Sequence, residues 1–321
     1  MLREITIALK KNKILFYVQN FLRQLIPSQV YQRALRSRLS ELEKYDAAYM
    51  NDRLHYYNKL SGSITVGQGA VPLREMRKIK GPKAYFFDFY ETARYFDQNW
   101  LANVLFMDVI HVPEVPTFQK SRPIHSNNAN AVLLKMDKKR HFFFVEDDLK
   151  FAEKKNMLIG RGSVTQPHRI RFMDIYFTHP MCDLGQVNRV GGNAKWLKPK
   201  LSTRAHLKYK FILSLEGNDV ATNLKWIMSS NSIAVMPKPK YETWFMEGRL
   251  IPDHHYILIR DDYSDLEERL HHYITNTDQA ERIISNANAY VKQFEDQKRE
   301  ELLGLMVMGK YFSCTKIPAD I

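Results

Sequence analysis

The chain has little cysteine. Two residues in 321, Cys182 and Cys314, are too few for a disulfide scaffold or a four-cysteine zinc site, and they fit a reducing cytosolic home. Long apolar runs are missing as well. The stretch Ile14–Val18 is far short of the ~20 residues that span a bilayer, and it lacks the small-residue cleavage site of a signal peptide. There is no Gly-Lys-Ser/Thr phosphate loop, no Ser/His/Asp elbow and no context for a cysteine nucleophile. Internal repeats and low-complexity tracts are absent too. What remains is 45% hydrophobic and 12% aromatic. That is enough to bury a sizeable core in two domains or one large one.

Acid is scarce in one place. From Met1 to Arg38 there are eight basic residues and a single acid, Glu4, a net +7; the rest of the chain, with 40 basic and 34 acidic residues, carries the other +6 of the total +13. The same segment has helical periodicity. Ile14, Val18, Phe21, Leu22 and Leu25 form one apolar face. Pro27 stops that helix, and Ser28 is placed to cap a second through Tyr31, Leu35, Leu39 and Leu42. A basic amphipathic segment of this kind can lie on an anionic bilayer, or it can dock on the domain with a solvated basic face. The near balance of charge elsewhere, and the lack of a known binding motif, argue against nucleic acid as the partner.

Beyond a loop at 61–81, the apolar runs Ala84–Phe89, Asn103–Ile110, His141–Val145 and Met157–Ile159 have strand length. The stretch Val190–Pro199 reads as an interdomain crossing or a mobile loop. From residue 211 strands and helices alternate: strands at Phe211–Leu215, Ser232–Met236 and Tyr256–Ile259, helices at Val220–Ser229, Tyr241–Glu247, Tyr263–Ile274 and Gln279–Phe294. Such alternation predicts parallel βαβ units and a Rossmann-like α/β sheet. Ligands of such sheets sit at the carboxyl ends of the strands.

Three stretches there can carry chemistry. Gly160-Arg161-Gly162-Ser163-Val164-Thr165, followed by Pro167-His168-Arg169, combines glycines that admit a ligand, two arginines, two hydroxyls and a helix start, which suits a phosphate; an ordinary strand–helix turn is the bland alternative. Glu216-Gly217-Asn218-Asp219 also lies between a strand and a helix. Asp219 can cap that helix, and Glu216 or Asn218 can bond sugar or ribose hydroxyls. Asn223 and Lys225 are polar residues farther along the same helix. The third stretch is Asp108 to His111, leading to Lys120 and Arg122. A carboxylate within an apolar strand is either a general base with a raised pKa or a structural acid paired with Lys120 or Arg122, and those two cations can alternatively hold a diphosphate. The pairs His254-His255 and His271-His272 lack zinc-ligand spacing. Glu146-Asp147-Asp148 follows a predicted strand, where some nucleotide-sugar enzymes hold a metal.

Several of these runs together resemble glycosyltransferase family 90, the capsule-associated and protein O-glucosyltransferase-like group, in its bacterial lipopolysaccharide core branch. The resemblance is carried by Lys210 through Trp226, ending near His255-Tyr256, by Tyr56-Tyr57-Asn58-Lys59-Leu60, by Asp108 to Pro116, by Lys120 through Ile124 and by Gly160 through Ser163. It covers roughly residues 50–295. It implies a GT-B fold of two Rossmann-like halves around a cleft, transfer of a sugar from a nucleotide diphosphate donor, and inversion without a metal, as in eukaryotic relatives. The family's Arg-Gly-Ser stretch at the donor diphosphate corresponds to Arg161, Gly162 and Ser163, with Thr165 nearby, and its second donor turn to Gly217 through Lys225. Two departures stand out. Where eukaryotic relatives carry two arginines around that second turn, this chain has Glu216 and Asn223, so the charge must come from Arg161, Arg169 or Lys225. Where they carry the catalytic aspartate, it has His111, with Asp108 three residues earlier. The base is His111, Asp108 or neither.

The resulting expectation is an α/β, GT-B-like hexosyltransferase. A basic helical segment covers 1–45, an acceptor-side half 46–195, a nucleotide-sugar half 196–300 and a C-terminal helix 301–321. It moves glucose or galactose from a UDP-sugar to a lipopolysaccharide or lipooligosaccharide core, without cofactor or metal. It sits peripherally on the inner face of the cytoplasmic membrane, held by residues 1–38. The alternatives are a metal-dependent transferase using Glu146 and Asp148, or a non-catalytic glycan- or nucleic-acid-binding protein.

Overall fold

The structure, a computed structural model, describes residues 13–66, 69–125 and 127–316. They belong to two compact units, Met1–Lys139 with Gln297–Ile321, and Arg140–Asp296.

The first unit begins with helices α1 (Lys13–Gln24) and α2 (Ser28–Ser40). Pro27 separates them as expected, but it occupies the cap position itself, and Ser28 is the first helical residue. Phe16, Tyr17 and Phe21 meet the ring of Phe87 edge-on, and Arg23 pairs with Glu91 at 3.1 Å. Phe21 is still half exposed, and the rest of the apolar row stays in solvent: Val18, Leu22, Leu25, Ile26 and Val30 are all exposed, Leu25 by 77%. Helix α2 has no buried residue. Arg3, Glu4, Lys10 and Lys11 lie outside the described residues.

Helix α3 (Ala47–Tyr57) starts where the Asp46 carboxylate accepts from the Tyr49 N–H at 2.6 Å. Helix α4 (Lys83–Ala93) replaces the strand expected at Ala84–Phe89. A short run of aromatics does not reveal its period, whereas Pro82 starts a helix and Tyr85, Phe89 and Ala93 bury one face of it at i, i+4, i+8. Strands β1 (Val71–Pro72), β2 (Leu101–Leu105), β3 (Thr117–Gln119) and β4 (Ala131–Leu133) form one sheet in that order, parallel except for β1. The strand expected at Asn103–Ile110 thus ends at Leu105, short of Asp108. The C-terminal helix Gln297–Cys314 belongs to this unit. Its Glu300 is buried between Arg53 at 2.6 Å and Lys135 at 3.1 Å, and its Tyr311 lies on Phe118, ring centroids 4.2 Å apart. Divisions at 195/196 and 300/301 therefore do not describe this chain.

The second unit is a doubly wound sheet. Strands β5 (Lys155–Gly162), β6 (Cys182–Gln186), β7 (Tyr209–Leu213), β8 (Ile233–Met236) and β9 (Ile257–Leu258) are all parallel, in the order β9–β8–β7–β5–β6. Residue 195 cannot be a boundary because β5 and β6 share this sheet with β7. Helices α5 (Pro167–Tyr176), α6 (Leu224–Met228), α7 (Leu266–Thr275) and α8 (Thr277–Lys292) complete the unit. One face of the sheet, with Leu158, Leu184, Phe211, Val235 and Ile257, packs against Phe172, Leu270 and Ile283 in a single core. Truncating Phe211 there costs about 3–5 kcal/mol. The segment His141–Val145, read as a strand, is almost entirely irregular, and Tyr241–Glu247, read as a helix, opens with a short strand at Tyr241–Thr243.

Candidate active site

In the order the chain visits them, the strands of the second sheet lie 5-4-3-1-2. The chain leaves β5 toward one edge and β7 toward the other. The direction reverses between these two strands, where an open α/β sheet parts and takes a ligand. A pocket of about 410 Å³ lies at this reversal, lined by Gly160–Val164, Arg169, Leu213, Leu215, Thr222 and Asn223, and by Thr203, His206 and Trp226. Gly160 is required by packing: a Cβ there would lie 2.9 Å from Leu184. Gly162 serves access: a Cβ would meet only Arg169, at 3.9 Å.

Arg169, on the first turn of α5, ties the two strand ends together. Its Nε donates to the Glu216 carbonyl at 2.8 Å, Nη1 to that of Ser163 at 2.8 Å and Nη2 to that of Leu215 at 2.7 Å. Carbonyls accept these bonds without cancelling the charge. Among the described residues no carboxylate pairs with Arg169, and two of its five N–H groups remain for a ligand. The N-terminus of α5 adds its dipole beside it.

Arg161 is in a different state. Its guanidinium pairs with Asp183 at 2.6 Å and donates to the main-chain carbonyls of Asp183 and Gly160. Asp183 also accepts from Lys198 at 3.1 Å and Tyr209 at 2.9 Å. Burial works against that carboxylate, but the bonds from Arg161, Lys198 and Tyr209 outweigh it and hold its pKa down to about 2. The positive charge of Arg161 is thus largely spent. Its Nε is buried and has no hydrogen-bond partner among the described residues, and the side chain forms part of the pocket wall.

The second turn is built differently from its reading in sequence. Glu216 accepts through Oε1 from the N–H groups of Lys240 and Tyr241 at 2.9 and 3.1 Å. Burial pushes its pKa up to about 7 against those two bonds. Asn218 accepts from Gln166 at 2.8 Å, joining the turn to the start of α5. Asp219 is buried and does not cap the helix, which starts only at Leu224. Asn223 donates to the Leu213 carbonyl at 2.9 Å and so holds α6 to the end of β7. Lys225 is fully buried, paired with Glu247 at 2.5 Å and removed from the pocket; a charge desolvated in the core must find its partner there. Ser163 and Thr165 are exposed, and the Thr165 hydroxyl donates to Gln166 at 3.0 Å.

In the N-terminal unit the Asp108 carboxylate accepts from Lys120 at 2.5 Å and from the Tyr85 hydroxyl at 2.6 Å. Of the two sequence readings, the structural acid with a lysine partner is the one observed. Arg122, fully buried, donates to the carbonyls of Tyr56 and Ala131 at 2.6 and 3.0 Å. It braces α3 against β4 and presents no surface to a diphosphate. His111 is exposed, three residues from Asp108 in an irregular segment. Farther on, Asp147 turns inward to Lys154 at 2.6 Å, while Glu146 and Asp148 are exposed. Among the described residues no three His, Cys, Asp or Glu side chains gather as a metal-binding group, so the Glu146/Asp148 arrangement gains no geometry. Asp183 and His206 escape a reading of the sequence, since an acid inside a short edge strand and a lone histidine carry no spacing signal; Trp226 lies in the stretch that carries the family resemblance, but its place in the pocket is set by the fold.

A parallel sheet with a charged pocket at its reversal defines a ligand-binding α/β unit. The sequence profile of glycosyl transferase family 90 matches residues 145–301, which span this unit. Over 305 residues, 94% of this chain and 96% of the relative, the sequence is 42% identical to the O-glucosyltransferase LpsA of Dichelobacter nodosus. The chain belongs to glycosyltransferase family 90 and is a glycosyltransferase.

Proposed function

We propose that the protein transfers a hexose from a UDP-sugar to a lipopolysaccharide or lipooligosaccharide core acceptor, with inversion and without a metal. The relative's activity favours glucose over galactose. The observation that carries this reading is Arg169, a cation with no carboxylate partner among the described residues, at the mouth of a pocket beside a helix N-terminus.

In the proposed reaction the acceptor hydroxyl oxygen bonds to the anomeric carbon as the bond from that carbon to the β-phosphate oxygen breaks. The charge growing on UDP is stabilised by Arg169 and by the start of α5, with Arg161 in the wall of the same pocket. The hydroxyl proton passes to His111, an exposed imidazole, because the Asp108 carboxylate is engaged by Lys120 and the Tyr85 hydroxyl. Glu216, whose Oε2 has no hydrogen-bond partner among the described residues, lies beside the Gly217 turn and is assigned to a donor hydroxyl. The GT-B arrangement is part of the proposal and is supported by the presence of two α/β units, one with an all-parallel sheet and one with a mostly parallel sheet. So is a peripheral position on the inner face of the cytoplasmic membrane. Residues 1–38 supply the net positive charge for it, α1 and α2 supply the exposed apolar row, and no helix among the described residues is long and apolar enough to cross a bilayer.

The test measures UDP release from UDP-glucose and UDP-galactose with a truncated core acceptor, with and without EDTA. Glucose transfer unaffected by EDTA is expected. Activity abolished by EDTA and restored by manganese would sink the metal-free version, and His111→Ala at wild-type rate would remove that base.

A further inference from the structure

His206 ends the short helix Thr203–His206 and lines the pocket at 7% exposure. Its Nδ1 lies 2.8 Å from the Ser202 carbonyl. A carbonyl can only accept, so Nδ1 carries the hydrogen. Burial disfavours the charged ring; the Ser202 bond and the Asp183 carboxylate work the other way, nearby Arg161 works with burial, and the net shift is downward. The ring is therefore neutral near pH 7, and Nε2 is a bare acceptor with no hydrogen-bond partner among the described residues. A histidine serving only the core has both nitrogens satisfied or packed against carbon. Here one nitrogen fixes the tautomer and the other is left on a pocket.

The surroundings suit a flat ring. The indole of Trp226 lies 5.8 Å from the imidazole at 71° and also lines the pocket. Thr203 adds a hydroxyl to the same lining. The pocket thus joins an anion-accepting part, at Gly162, Ser163 and Arg169, to an aromatic part carrying a fixed acceptor. That acceptor matches a ring with an N–H between two carbonyls. It mismatches a ring that presents a lone pair at the same position.

We propose that His206 selects the nucleobase, its Nε2 accepting the N3–H of a uracil ring seated against Trp226. This rests on the nucleotide-sugar reading of the pocket and adds the residue that tells uracil from cytosine. Cytosine turns the N3 lone pair toward Nε2, so one hydrogen bond is lost and two acceptors face each other.

The experiment is calorimetric titration of the full chain with UDP, CDP and N3-methyl-UDP at pH 8. UDP is expected to bind about tenfold or more tighter than either analogue, the range of one hydrogen bond and one mismatch. His206→Phe should weaken UDP by about tenfold and leave CDP unchanged. His206→Gln, whose amide can present either oxygen or N–H, should bring CDP to within about threefold of UDP. The wild-type comparison with N3-methyl-UDP needs no variant to fold. Equal binding of UDP and its N3-methyl form, or a UDP preference retained in both folded variants, overturns the assignment alone. Binding of none of the three nucleotides overturns it together with the nucleotide-sugar reading.

Discussion

Two stretches of the chain, 108–122 and 160–169, look alike on paper. Each sets basic residues near the end of a strand with a polar partner close by. The structure separates them. In the first, Lys120 spends its charge on Asp108, and Arg122 is sealed among carbonyls. In the second, Arg161 spends its charge on Asp183, but Arg169 bonds only carbonyls and keeps its own. A carboxylate partner cancels a cation, a carbonyl orients one, and burial decides whether an oriented cation can still meet a ligand. By that criterion Arg169 is the cation of the pocket left for the proposed anion, whereas Lys120, Arg122 and Lys225 are taken up by partners within the protein.

That division can be broken by mutation. Lys225→Ala leaves Glu247 buried without its cation and should cost about 3–5 kcal/mol in denaturant unfolding, while the folded fraction binds UDP normally; a stable variant that has lost UDP would return Lys225 to the site. Arg169→Ala removes a charged three-way brace. It should weaken UDP by about 30–100-fold, or about 2–3 kcal/mol, with Arg169→Lys in between because a lysine keeps the charge without the fork. Wild-type affinity in the alanine variant would make Arg169 a structural residue like Arg122.

A third region extends the comparison. On α2, Arg33 and Arg36 are exposed, next to the apolar row of α1. Leu22→Glu together with Leu25→Glu should lower co-flotation with anionic vesicles by about tenfold and leave transfer to a detergent-dispersed acceptor unchanged. Equal flotation would separate this row from the membrane.

The smallest effect is expected at Glu216. Its folded pKa, about 7, lies above the ordinary carboxylate range because burial disfavours the charged form. The folded protein holds this proton more tightly than the unfolded chain. Its stabilising contribution is therefore complete below the unfolded pKa and is lost as pH rises through about 7. Glu216→Gln retains an oxygen for the N–H groups of Lys240 and Tyr241, so it should flatten the fall in melting temperature between pH 5 and 8. Parallel curves for the two proteins would show that Glu216 titrates normally.

Much of the C-terminal sheet was legible in sequence. β5, β7, β8 and β9 fall within a few residues of apolar runs, because strands buried on both faces are written as continuous hydrophobic stretches. The helices α7 and α8 announced themselves by period. Edge strand β6, Cys-Asp-Leu-Gly-Gln, did not, because its Asp183 faces Arg161 rather than an apolar layer. In the N-terminal unit the sequence of α4 reads as a strand, since an aromatic run suits either structure until its neighbours choose a face. The glycine-rich turn after β5 was found because glycine and hydroxyl residues mark an open strand end. The acid of the second turn was given a capping role that the late start of α6 denies it.

The residue string by itself determined the supply of charge, the parallel βαβ rhythm, the turn at 160–169 and the family, because these depend on composition and on patterns along the chain. Only the tertiary structure decided which cations were cancelled, which tautomer His206 adopts and which carboxylates were claimed. Those outcomes depend on distances of 2.5 to 2.8 Å between residues as far apart in sequence as Arg161 and Asp183, Arg169 and Glu216, or Lys225 and Glu247. No local pattern encodes such pairs. Folding brings them together, and burial then makes each choice of partner costly to reverse.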